Sequence, residues 1–141
     1  MAKARRGTGI FRQDWVRGLR ASLGRVPLPA DLSTLADHPE AIVRLYVAGI
    51  RWTEDGDVPA ARAAAVEAIR SGEAHPVCMG CQLLMQLGPA ADDVLPLVWD
   101  YLRHPSGMVR GNAGFVLTST RTHQLHGVRL PVVALSKLSG R

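Results

Sequence analysis

Leu87-Gly88-Pro89-Ala90-Ala91-Asp92-Asp93-Val94-Leu95-Pro96-Leu97-Val98-Trp99-Asp100-Tyr101-Leu102-Arg103-His104-Pro105-Ser106-Gly107-Met108-Val109-Arg110-Gly111-Asn112-Ala113 is the stretch that decides the fold. It opens on a Gly-Pro turn. Val94, Leu95, Val98, Tyr101 and Leu102 then recur every three to four residues, the period of a helix with one apolar stripe, so a helix is predicted over residues 90–103. Pro96 falls inside it and should kink it, because proline cannot donate the hydrogen bond that the helix needs there. His104-Pro105 follows and introduces a second apolar helical pattern, predicted over 105–117.

Working outward, the His-Pro dipeptide recurs at 38–39 and 75–76, each time ahead of an apolar helical pattern, over 39–51 and 76–87. Residues 58–70 are Ala-rich, with Ala61, Ala65, Val66 and Ile69 on one face and Gly72 as a stop. Residues 10–23 place Phe11, Trp15, Leu19 and Leu23 at helical spacing, with Arg12, Arg17 and Arg20 off that stripe. Val26-Pro27-Leu28-Pro29 reads as an extended connector, Asp31 as the cap of a short helix through Ala36, and 130–138 as a last apolar helix. No strand alternation of useful length interrupts this pattern, so the fold class is all-α.

The His-Pro helices align on Val43-Arg44 with Val47 and Ile50, on Met79-Gly80 with Leu83 and Leu87, and on Val109-Arg110 with Ala113, Val116 and Leu117. This pattern resembles the second helix of HEAT-like (armadillo/HEAT-type) repeats, and the resemblance covers about residues 37–117. Gly80 stands where the other two copies carry Arg. The resemblance implies a short α-solenoid of about three helix pairs with atypical terminal helices. It also implies that the Arg of Val-Arg bonds an acid of a neighbouring turn, as Asp37 would for Arg44, whereas Arg103 takes the equivalent place before Arg110. One helix pair buries its apolar face poorly alone, so stacked pairs complete the core. The 141 residues then read as a single helical-repeat domain. Residues 1–30 form a basic arm and capping helix, 31–121 the repeats, and 122–141 a C-terminal loop and capping helix.

The net charge of +5 invites a nucleic-acid reading, but the charge is segregated. Residues 1–25 hold seven Lys/Arg against one acid, residues 26–100 four against eleven, and residues 101–141 six against none. With 47% hydrophobic and 21% charged residues the chain is ordinary globular stock. No apolar run approaches the roughly 18 residues of a membrane span, so no membrane partner is expected. Charged residues interrupt what would be the apolar part of a signal peptide, and two cysteines make no disulfide framework, so a cytoplasmic location is expected.

His75-Pro76-Val77-Cys78-Met79-Gly80-Cys81 offers His75, Cys78 and Cys81 as three soft ligands, or two thiols near a helix start. Zinc wants four ligands and a thioredoxin-type site wants a βαβ context, so the plainer reading is two small buried residues on a stacking face. His123 and His126 could share a helix face, but no carboxylate lies between 101 and 141 to orient them. Trp99-Asp100-Tyr101 could, in a repeat groove, stack a base or a peptide side chain, although Trp99 on a helical stripe reads as core. Gly107, Gly111 and Gly114 suggest close helix approach, and Gly7-Thr8-Gly9 lacks the preceding strand of a phosphate loop.

No catalytic constellation is present and no cofactor is expected. The sequence therefore points to a non-enzymatic HEAT-like scaffold that binds a protein partner through its concave helices, with Arg44, Arg51, Gln82, Gln86 and Arg110 projecting toward it. The alternative is nucleic-acid binding through the basic ends by Arg5, Arg6, Arg12, Arg17, Arg20, Arg103, Arg121 and Arg129. Oppositely charged segments also allow self-association.

Overall fold

The structure, a computed structural model, describes residues 8–24 and 27–118. Among them every regular element is helical: α1 (Thr8–Leu23), α2 (Ala41–Asp55), α3 (Val58–Arg70), α4 (Ala74–Leu87), α5 (Pro96–Trp99) and α6 (Gly107–Thr118), with 3-10 turns at Leu32–Leu35, Gly88–Val94 and Asp100–Arg103. The chain divides into two compact units, residues 1–64 and 65–141, with the division inside α3. His123, His126 and the helix expected over 130–138 lie outside the described residues.

The first unit is built on α1 against α2. Phe11 stacks on Trp52 at 6.3 Å between ring centroids, and Trp15 meets Tyr46 edge-on at 5.7 Å, so the later residues of α1 meet the earlier residues of α2 and the helices run antiparallel. The stripe expected on α1 buries Trp15 and Leu19 fully, while Phe11 and Leu23 are half-buried. The helices approach closely at glycines: a Cβ on Gly49 would stand 2.6 Å from the Trp15 indole, and one on Gly18 would strike the Tyr46 ring. Asp31 caps the Leu32–Leu35 turn as its sequence position predicts, its carboxylate accepting from the Ser33 backbone N–H at 3.0 Å. Gly56 ends α2 in the left-handed region, with φ of 72°, and returns its N–H to the Trp52 carbonyl at 2.8 Å.

In the second unit, residues 90–103 depart from the single kinked helix that their apolar stripe predicts. They form three short helical pieces, and Pro96 occupies the first position of α5. A proline there lacks an N–H that a first-turn residue does not need, so the chain restarts its helix at Pro96 instead of bending through it. The stripe survives the breaks, because Leu95, Val98 and Leu102 are all buried. Gly80 of α4 faces α3, where a Cβ would stand 2.9 Å from Ile69 and 3.1 Å from the Ala65 carbonyl oxygen. Helices α4 and α6 lie side by side, with Gln82 Nε2 donating to Asn112 Oδ1 at 3.3 Å. The glycines of α6 are looser than expected: Gly111 has nothing within 4 Å and Gly114 meets only Leu102 at 3.8 Å.

The His-Pro segments form one turn twice and a different one once. At His38 and at His104, imidazole Nδ1 accepts the backbone N–H two residues on, from Glu40 at 3.1 Å and Ser106 at 3.0 Å. The proline lies just ahead of the helix in both cases, and the helix begins at Ala41 or Gly107, two residues later than expected. Six residues after each His, an Arg reaches back to its carbonyl: Arg44 donates to His38 O, and Arg110 to His104 O at 2.8 Å and Pro105 O at 3.0 Å. An acid is therefore not required of the brace, which forms in the second unit although Arg103 stands where Asp37 stands in the first. At His75-Pro76 the helix starts earlier, at Ala74, and Cys81 occupies the position six residues after the His.

Candidate functional site

The first unit contains a pocket of about 340 Å³. Helix α1 supplies Arg12, Val16 and Arg20, spaced four residues apart and so on one side of the helix. The connector supplies Leu28, Pro29, Ala30, Asp31, Leu32 and Ser33, and the end of α2 supplies Arg51, Glu54 and Asp55. Long side chains from three segments distant in sequence meet because α1 and α2 pack antiparallel and the connector lies over them. Arg12 Nε and Nη2 both donate to Glu54 Oε2, at 3.0 and 2.7 Å. Asp31 Oδ1 accepts from the Ser33 N–H at 3.0 Å and from the Ser33 hydroxyl at 2.7 Å. Those bonds, the hydroxyl first, hold the Asp31 carboxyl below the ordinary carboxylate range, and the Arg51 guanidinium adds a weaker attraction.

This pocket gathers residues that the sequence assigns to different roles. Arg12 and Arg20 belong to the nucleic-acid set and Arg51 to the protein-binding set, yet all three line one cavity. Of the remaining nucleic-acid candidates, Arg17 pairs with Asp14 at 2.9 Å, Arg103 is exposed, and Arg5, Arg6, Arg121 and Arg129 lie outside the described residues. Of the protein-binding set, Arg44 and Arg110 brace their own His carbonyls and Gln82 bridges α4 to α6. Gln86 is half-buried on α4.

The second unit carries a different surface feature that periodicity missed. Met108 is 65% exposed and Phe115 55%, two turns apart on the same side of α6, with the open Gly111 between them. Arg110 is the sole charge on α6, and its guanidinium is turned to the carbonyls beneath the helix start. Trp99, expected in the core, is 38% exposed. Its neighbours Val98 and Leu102 take the buried side of the broken segment.

Cys78 and Cys81 are free and buried, as the plainer reading of the Cys pair expects, whereas His75 is exposed. Among the described residues no three His, Cys, Asp or Glu side chains stand where they could hold a metal ion. Burial, and secondarily Cys78, pushes the Cys81 thiol from its ordinary 9.0 to about 12. The folded thiol thus keeps its proton where the unfolded thiol has lost it. The contribution of this thiol to stability is therefore complete below about pH 9 and is lost as the pH rises from there toward about 12. We expect urea unfolding to show a loss of about 2 kcal/mol between pH 8.5 and 10.5 on this account, of which Cys81→Ala relieves most. An equal loss in wild type and Cys81→Ala would assign it to other groups.

No protein-family model matches the chain, and comparison with curated proteins and with solved structures gives no match.

Proposed function

We propose that the chain is a non-enzymatic HEAT-like helical-repeat protein, a short α-solenoid, that binds a protein partner on the outward face of α6. The repeat reading is supported by the same brace at His38–Arg44 and His104–Arg110, and by the side-by-side packing of α4 and α6. Two buried free thiols accord with a cytoplasmic setting. The observation that carries the binding reading is the uncharged exposed strip of Met108, Gly111 and Phe115. Large apolar side chains held in water at two-turn spacing gain free energy when a partner covers them, and an open glycine between them admits a partner side chain.

Charge selects the partner. From Tyr101 to the end the chain carries six basic residues and no acid, so an amphipathic helix with an apolar face and flanking carboxylates complements both the strip and the charge of this stretch of sequence. A labelled synthetic helix of roughly 18 residues, about five turns, with Leu on one face and Glu on the other, tests this by fluorescence anisotropy. Binding is expected, with Phe115→Ser weakening it about tenfold or more, the effect of a central anchor. Peptide binding indifferent to Phe115→Ser, together with tight and steeply salt-dependent binding of duplex DNA, would overturn the reading in favour of the basic segments.

A further inference from the structure

We infer that the pocket of the first unit binds a small organic carboxylate, its charged end between the guanidinium groups of Arg20 and Arg51 and its apolar body against Val16, Leu28 and Leu32. The assignment rests on which charges in the pocket already have partners. Glu54 is taken by Arg12, which donates two bonds to it. Asp31 is taken by Ser33, and Asp55 Oδ1 accepts the Asp57 N–H at 3.2 Å. Among the described residues Arg20 has no hydrogen-bonding or charged partner, and Arg51 has only the through-space attraction of Asp31. Two guanidinium forks with vacant donors therefore line the same cavity.

Three further observations choose the ligand class. A guanidinium fork matches the two oxygens of a carboxylate, giving short, charge-assisted hydrogen bonds. The lining holds three Arg and three acids, so its formal charge is balanced; a doubly charged phosphate meets more repulsion from Asp31, Glu54 and Asp55 than a singly charged carboxylate does. Finally, Val16, Leu28, Pro29 and Leu32 are each half-buried at the pocket wall, leaving apolar surface that a purely ionic ligand would not cover. At about 340 Å³ the cavity lies at the small end of ligand sites and has room for roughly ten non-hydrogen atoms. That is the size of a short-chain fatty acid or an aromatic acid. This inference does not depend on the function proposed for the α6 face.

The test titrates the full-length chain with hexanoate, benzoate, acetate and inorganic phosphate, reading calorimetric heats and the NMR signals of the arginine Nε–H groups. Hexanoate and benzoate are expected to bind and to shift the Arg20 and Arg51 signals. Arg20→Gln, at an exposed position, is expected to weaken binding about tenfold, and Arg51→Gln similarly. Arg17→Gln, whose partner is Asp14 and which does not line the pocket, is expected to leave affinity unchanged. The proposal is overturned if neither acid moves the two arginine signals, if Arg17→Gln weakens binding as much as Arg20→Gln, or if acetate or phosphate binds as tightly as hexanoate.

Discussion

Trp15→Ala is expected to remove about 3–5 kcal/mol of stability, the range for deleting a large buried aromatic side chain. Trp15 is 1% exposed. Its indole lies against Gly49 and packs edge-to-face with Tyr46, so it fills the seam between α1 and α2. The hole left by alanine closes poorly. Tyr46 is itself pressed against Gly18 and cannot swing in without leaving that contact, and a glycine at 49 offers no side chain to move. A loss of this size is a large fraction of the roughly 5–15 kcal/mol that holds a typical domain. Urea unfolding followed by far-ultraviolet circular dichroism measures it, with Trp15→Phe, which keeps a ring at the seam, expected to lose clearly less. A loss below about 1 kcal/mol for Trp15→Ala would mean that α1 contributes little to the core.

Gly80→Val is expected to cost about 3 kcal/mol, the upper part of the range for overpacking a filled interface. A first carbon at position 80 already falls 3.1 Å from the Ala65 carbonyl oxygen, which belongs to the backbone of α3 and cannot rotate away, and 2.9 Å from Ile69. Two further methyl groups can be accommodated only by moving α4 off α3. Gly111→Ala is the internal comparison, since it is also a mid-helix glycine but has nothing within 4 Å. There the backbone freedom that glycine retains in the unfolded state is removed without a clash, and stability should rise by up to about 1 kcal/mol. Thermal unfolding of the two variants side by side checks the contrast. Destabilisation of similar size in both would show that helix propensity, and not the α3–α4 approach, governs position 80.

The contrast between these two glycines marks where sequence reading stops. Both occur at helical spacing among apolar neighbours, and the glycines of α6 look better suited to a close approach than Gly80 does. Close approach is a property of two surfaces, and the second surface at Gly80 is the carbonyl of Ala65, fifteen residues away. Trp99 fails for a related reason. Its stripe predicts burial, but Pro96 breaks residues 90–103 into short pieces, and the buried side is then filled by Leu95, Val98 and Leu102. A regular helical wheel cannot locate a side chain in a segment that is not one regular helix.

The candidate sites divide in the same way. Buried cysteines and a capping Asp31 are legible because short spacing and residue type decide them. The pocket is not, since Arg12, Arg20 and Arg51 lie up to 39 positions apart in a chain with fifteen arginines, and nothing local distinguishes a paired one from a vacant one.

By itself the sequence determined the all-helical class of the described residues, the positions of most of their helices, the apolar faces of α1 and α3, and the recurrence of His-Pro near a helix start. These follow from backbone hydrogen bonding and apolar periodicity, which act over a few residues. Only the tertiary structure decided that Arg44 and Arg110 grip their own His carbonyls, that Arg12 is claimed by Glu54, and that Met108 and Phe115 remain in water. A charge or an apolar side chain acquires its role from what stands within a few ångströms of it, and for these residues helix packing sets that distance.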